Sequence, residues 1–277
     1  MPASIDEVHW KSLRANGDPA RVPFLLRALM ATEKSKRAAA WGELVDLINH
    51  QGDVYSATIE ALRCLFSLAR DGSVPPSEVL EFASGFFDPA GEYPGELGEN
   101  LRHVFSEALP IVFRSLFARD PVEREVSALI LGNLPQLSMG GEALEEPRRG
   151  AQPLLQLHEQ SLVELQRAIA SERESAPLAL AIWAFGSLRV SDPPTEMFLQ
   201  TAQQANDALV RAVAAAFVAR WRGPDAEEFE VHVVADAMAR RLGATTKLPF
   251  GFFEESLKCP LGGHLVQQIR TGRYVAT

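Results

Sequence analysis

The stretch from Glu107 to Leu134, EALPIVFRSLFARDPVEREVSALILGNL, constrains the chain most, because it reads as two amphipathic helices folded back on each other around an Arg-Asp-Pro corner. In its first half Leu109, Val112, Phe113, Leu116 and Phe117 fall at i, i+3, i+4, i+7 and i+8, one stripe along a helix. In its second half Val126, Leu129, Ile130 and Leu134 keep the same spacing. They follow Asp120 as the expected N-cap and Pro121 at the first helical position, where a missing N–H is harmless. Such a hairpin cannot bury both apolar faces alone, so it must stack on neighbours of its own kind.

The pattern recurs along the chain. Val22, Leu25, Leu26, Leu29 and Met30 form a stripe, Thr32 to Lys36 form a polar corner, and Trp41, Leu44, Val45 and Ile48 form a second stripe. A shift of 87 positions lays Pro23 on Pro110, Arg27 on Arg114, Leu29 on Leu116 and Arg37 on Arg124. That shift is two units of a repeat of roughly 40 to 47 residues. A middle helix carries Leu62, Leu65, Phe66 and Ala69 and ends at Asp71-Gly72. Pro75-Pro76 then opens another, with Val79, Leu80, Phe82, Ala83 and Phe86 on its apolar side.

Further helices are expected over Leu154 to Ile169, from Pro177 to Leu188, after Asp192-Pro193-Pro194, and over Ala226 to Leu242; a short one is expected over Ile5 to Arg14. Phe87 to Gly98 holds too much Pro and Gly for a helix and reads as an exposed loop. No run alternates in the manner of a strand. The expectation is an all-α chain: residues 1–242 as one continuous domain with a loop or hinge at 138–152, and a capping tail at 243–277 rich in Leu248, Phe250, Phe252 and Phe253.

A proline in the first helix (Pro110), an Asp-Pro corner (Asp120, Pro121), and Arg124 followed by Ala128, Leu129, Leu131 and Gly132 together resemble a HEAT repeat. Over Asp18 to Trp221 this resemblance implies a right-handed α-solenoid of about five to six helical hairpins. A narrower likeness covers residues 18–70. There Val22-Pro23-Phe24-Leu25-Leu26, followed by His50-Gln51-Gly52-Asp53-Val54-Tyr55-Ser56-Ala57-Thr58, is similar to bacterial HEAT-repeat proteins often associated with toxin systems. What it implies is a binding protein, with neutralisation of a cognate toxin as an immunity protein among the expected roles.

The 277 residues carry a net charge of -9, which opposes binding to nucleic acid or to an anionic membrane surface. No apolar run is long enough to span a membrane, and the start, MPASIDEVHW, is acidic and polar, so a cytoplasmic protein is expected. Cys64 and Cys259 lie in unlike settings and indicate no disulfide framework. Neither a nucleophile elbow, a P-loop, a dinucleotide fingerprint nor a zinc-protease motif is present. The six histidines are scattered, and Cys259 with His264 supplies only two of the ligands zinc requires. The sequence therefore predicts no enzyme, metal or cofactor.

The charge is unevenly spread. From Asp71 to Leu101 there are seven acidic residues and no Lys or Arg, whereas Val231 to Thr277 carries six basic residues against three acids. The expected partner-binding surface is this acidic stretch: Glu78, Glu81, Asp88, Glu92, Glu96 and Glu99, with Phe87 and Tyr93, and Phe86 beside them, as aromatic anchors. Its expected partner is another protein, a basic toxin such as a nuclease being the leading case. A scaffold with several partners, and an enzyme acting in a concave groove, are the alternatives.

Overall fold

A computed structural model of the chain describes residues 4–50, 53–87, 95–138, 152–189, 193–242, 244, 247–248, 252–271 and 274. Among the described residues there are thirteen α-helices and no strand. They are α1 (Val22–Ala28), α2 (Lys34–Ile48), α3 (Ser56–Asp71), α4 (Pro76–Ser84), α5 (Gly95–Ser115), α6 (Pro121–Ser138), α7 (Gln152–Ser171), α8 (Ser175–Leu188), α9 (Thr195–Gln204), α10 (Ala208–Arg222), α11 (Glu228–Ala239), α12 (Phe252–Ser256) and α13 (Pro260–Arg270). They gather into two compact units. One is Met1–Ile130 with Leu134–Leu157, the other Leu131–Asn133 with His158–Thr277. Of the expected loop or hinge at 138–152, residues 139–151 lie outside the described residues.

The first unit is built from caps and corners that the local sequence supplies. Gly72 ends α3 in the left-handed conformation, at φ 79°, which glycine adopts without a steric penalty. Asp120 caps α6 by accepting from Val122 N at 3.0 Å. At the start of α3 the buried Thr58 hydroxyl accepts from Tyr55 N at 2.9 Å and donates to the carbonyl of Ile48, tying the end of α2 to the start of α3. Helices α1 and α2 pack as a pair, α3 lies against both α1 and α5, and α4 packs on α3 and α5. Helix α2 meets α4 through Trp41 and Phe82, whose ring centroids are 5.4 Å apart. The core is mainly aliphatic, and within it the rings of Phe66 and Phe105 pack edge to face at 5.9 Å.

The 87-residue shift has a geometric counterpart. Arg37 and Arg124 each reach back over the preceding corner, to the carbonyls of Ala31 and Thr32 and of Ala118 and Arg119 respectively. A third member, not noticed in the sequence, lies one shift further on: Asp207 and Arg211 stand where Asp120 and Arg124 do. Asp207 caps α10 by accepting from Leu209 N at 2.9 Å and Val210 N at 3.1 Å. Burial pushes its carboxyl up, but the Ser175 hydroxyl at 2.7 Å, those two amides and Arg211 outweigh it and hold the pKa below the ordinary value.

In the second unit α8 and α10 are buried almost all round, as expected of helices enclosed by others. Helix α10 packs on α8, α9, α11 and α12. Phe217 of α10 sits among Phe198 (5.5 Å), Trp221 (5.2 Å) and Phe252 (5.3 Å). Past Gly243 the chain forms α12 and α13, the latter packed on α11. Arg222 reaches the fully buried Glu230 at 2.6 Å, while Glu230 also accepts from Glu227 N at 3.0 Å.

Several expectations are corrected. The predicted helix over Ile5 to Arg14 is a turn and a single 3-10 turn, Trp10–Ser12, in which Trp10 rather than Val8 or Leu13 is buried. Met30 and Phe117 close their stripes in sequence, yet are 41% and 42% exposed. Both lie beyond the last helical residue, Ala28 or Ser115, where the 3.6-residue phase no longer holds. Val45 is 37% exposed, because α2 buries Ala40, Leu44, Leu47 and Ile48. Leu47 takes the place expected for Val45.

Candidate functional site

The acidic stretch falls on α4 and the start of α5. Pro76 opens α4 at its first position, and Val79, Leu80 and Ala83 turn inward. Glu78 also points inward. Its carboxylate accepts from Trp41 Nε1 at 2.8 Å and from Arg37 Nη2 at 3.3 Å, the arginine side chain being only 19% exposed. The same arginine therefore binds both the corner carbonyls and a carboxylate two helices on. Phe86, expected as an anchor, is 1% exposed and packs edge to face on Phe82 at 5.1 Å. It is part of the core.

Three of the expected carboxylates share the outside of this region. Glu81 of α4 and Glu96 and Glu99 of α5 are exposed, with Leu97, 36% exposed, between the last two. Glu96 lies in the first turn of α5, where the helix dipole favours a negative charge. Asp88, Glu92 and Tyr93 lie outside the described residues, as does the side chain of Phe87, which closes the 3-10 turn Gly85–Phe87. Further along α5, Glu107 is engaged by Arg63 at 3.9 Å and His103 at 3.6 Å. Exposed carboxylates of this kind act on a partner at a distance of about one Debye length, ~8 Å at physiological salt.

A second surface lies at the other edge of the first unit. Asp18 accepts from Ala20 N at 2.9 Å and starts the 3-10 turn Pro19–Arg21, which runs straight into α1. The Trp10–Ser12 turn packs against it. Trp10 is 5% exposed and donates its indole N–H to Ile5 O at 2.9 Å. Beside these turns lies an open cavity of about 730 Å³, walled by Val8, Trp10, Pro23 and Phe24 and edged by His9 and Lys11. The Phe24 ring is 69% exposed. Sequence reading passed over this place, although Phe24 falls off the stripe formed by Val22, Leu25, Leu26 and Leu29.

The second unit holds a smaller cavity, about 190 Å³, against Arg220, Glu255, Lys258 and Cys259. Cys259 caps α13, its Sγ accepting from Gly262 N at 3.3 Å. The side chain of His264, its suggested partner, lies outside the described residues. Among the described residues no group of three or more His, Cys, Asp or Glu is placed to hold a metal ion, and no helix is long and apolar enough to cross a membrane. No known protein-family model matches the sequence, and no curated protein or solved structure is significantly similar to it.

Proposed function

We propose that the chain is a non-enzymatic protein-binding module, a right-handed α-solenoid of about five to six HEAT-like hairpins whose acidic α4–α5 face engages a basic partner protein. The observation that carries this reading is the recurrence of one corner geometry at a fixed shift, Arg37 and Arg124 clasping equivalent carbonyls. The side-by-side packing of α1, α3 and α5, with α2 against α4, supports it further. Repeat arrays present long surfaces made of helix faces and loops, and these suit the capture of another macromolecule.

The partner follows from charge. Glu81, Glu96 and Glu99 project from a stretch with seven acids and no Lys or Arg, so a cationic protein is drawn to it. Neutralisation of a basic toxin is the specific form of this reading, and the likeness over residues 18–70 supports it. The test is capture of partners from a lysate of the source organism at low and high salt. One stoichiometric partner lost at high salt is expected, whereas several weak ones favour a scaffold. With the partner in hand, reversing Glu81, Glu96 and Glu99 to Lys is expected to slow association about tenfold or more at low salt. An unchanged rate removes the face from consideration.

A further inference from the structure

We propose that the open cavity beside α1 binds a small amphipathic carboxylate, an apolar chain or ring bearing one anionic head. Its volume, about 730 Å³, falls within the roughly 300 to 1,000 Å³ of small-molecule sites. That is the scale of one compact ligand. A stable protein interface buries about 800 Å² on each partner, a far broader surface than this cleft offers.

The walls define the body of the ligand. Val8, Trp10, Pro23 and Phe24 present apolar surface, and the Phe24 ring stands 69% in water. Covering such a ring removes apolar area from solvent and drives binding. The edge defines the head. His9 and Lys11 are the ionisable residues there, and no carboxylate is among the described residues lining the cavity. Nearby Arg21 and Arg27 are already paired with Glu43 and Asp6, whereas Lys11 has no ion pair among the described residues. In a chain of net charge -9, the described wall here offers a cation and no carboxylate of its own, and the nearby Asp6 is held by Arg27.

The site is also held in shape before any ligand arrives. Arg14 N donates to Ser56 Oγ at 2.8 Å, Asn16 N donates to Leu47 O at 2.8 Å, and Ala57 N donates to Arg14 O at 3.1 Å. These bonds fasten the segment carrying Trp10 and Lys11 to α2 and α3, so little ordering remains to oppose binding.

The experiment titrates the full chain with sodium decanoate and with sodium 2-naphthoate by calorimetry, using decanamide as the neutral-headed comparator. Saturable binding to one site is expected, with decanamide about tenfold weaker than decanoate because it lacks the charge-assisted contact. Lys11→Gln should weaken decanoate about tenfold and leave decanamide unchanged, while Phe24→Ala should weaken both about tenfold. Both side chains are exposed, so neither change threatens the fold. Titration of Trp10→Phe beside the wild type isolates the fluorescence of the indole in the wall. No saturation by either carboxylate up to about 5 mM, a free energy near -3 kcal/mol, overturns the proposal. So does equal binding of decanamide, or binding indifferent to both variants.

Discussion

Arg37 and Arg124 make the same pair of bonds at positions 87 apart: Nη1 of Arg37 donates to Ala31 O at 3.1 Å and Thr32 O at 3.2 Å, and Nη1 of Arg124 donates to Ala118 O at 2.9 Å and Arg119 O at 3.0 Å. Carbonyls at the end of a helix have no partner within it, and a planar cation placed over the corner satisfies two at once.

Replacing Arg124 by Ala is expected to destabilise the first unit by about 1–2 kcal/mol, since two carbonyls lose a charged donor. Arg124→Lys should recover little of it, because the lysine side chain is one bond shorter and its ammonium stops short of the place where Nη1 meets both carbonyls. Arg211, which shares the register but is exposed, should tolerate Ala within about 0.5 kcal/mol. Chemical denaturation of the three variants tests this. A Lys variant as stable as wild type would show that any cation near the corner suffices.

Gly186 of α8 has no room for a side chain. A Cβ there would lie 2.8 Å from three atoms of the Phe217 ring, and that ring is confined by Phe198, Trp221 and Phe252. Gly186→Ala is expected to cost about 1–3 kcal/mol by overpacking. Adding Phe217→Leu should restore part of the loss, so the two changes are predicted to be non-additive in a double-mutant cycle.

Burial pushes the Glu230 carboxyl above its ordinary value, against the pull of the Glu227 N–H and Arg222. A carboxyl whose pKa rises on folding holds its proton more tightly in the folded chain. Its contribution to stability is full below the unfolded value of 4.5 and is lost as pH climbs through the raised folded value. Arg222→Ala removes the cation that offsets the buried charge and should cost about 2 kcal/mol at neutral pH, discounted because Arg222 is partly exposed. The loss should shrink near pH 4, where Glu230 is protonated. Denaturation at both pH values checks this, and equal losses would remove the ionic explanation.

Burial, with Glu60 nearby, pushes the Cys64 thiol up to about 12, and its side chain is fully enclosed. Cys259 is half-buried at the start of α13. A thiol reagent at pH 8 is therefore expected to label Cys259 in the native chain and Cys64 only after denaturation. Rapid native labelling of Cys64 would mean that α3 opens locally.

The sequence was most legible where the physics is short-ranged. The stripe of Val22, Leu26 and Leu29, the stop at Gly72, the cap at Asp120 and the opening of α4 at Pro76 all depend on neighbours within one or two turns. The period was partly visible: Arg37 and Arg124 were matched, while Asp207 and Arg211 were missed because the helix before them shares little side-chain identity with α1 or α5. The candidate acidic face was legible as composition only. Glu78 and Glu81 are three positions apart in one helix, yet one binds Trp41 and Arg37 while the other is exposed. What separates them is α2, some forty residues upstream.

The sequence by itself determined that the chain is helical, where its first corners fall, and that Arg37 and Arg124 share a register, because capping and amphipathic spacing are written within a few residues; that these two arginines close their corners is seen only in the structure. Tertiary structure alone decided which apolar residues stay in water. Phe24 remains exposed beside a cavity while Phe86 is enclosed, and Met30 and Phe117 turn outward once their helices end. Burial depends on which helices arrive from elsewhere in the chain to cover a face, and no local spacing carries that information.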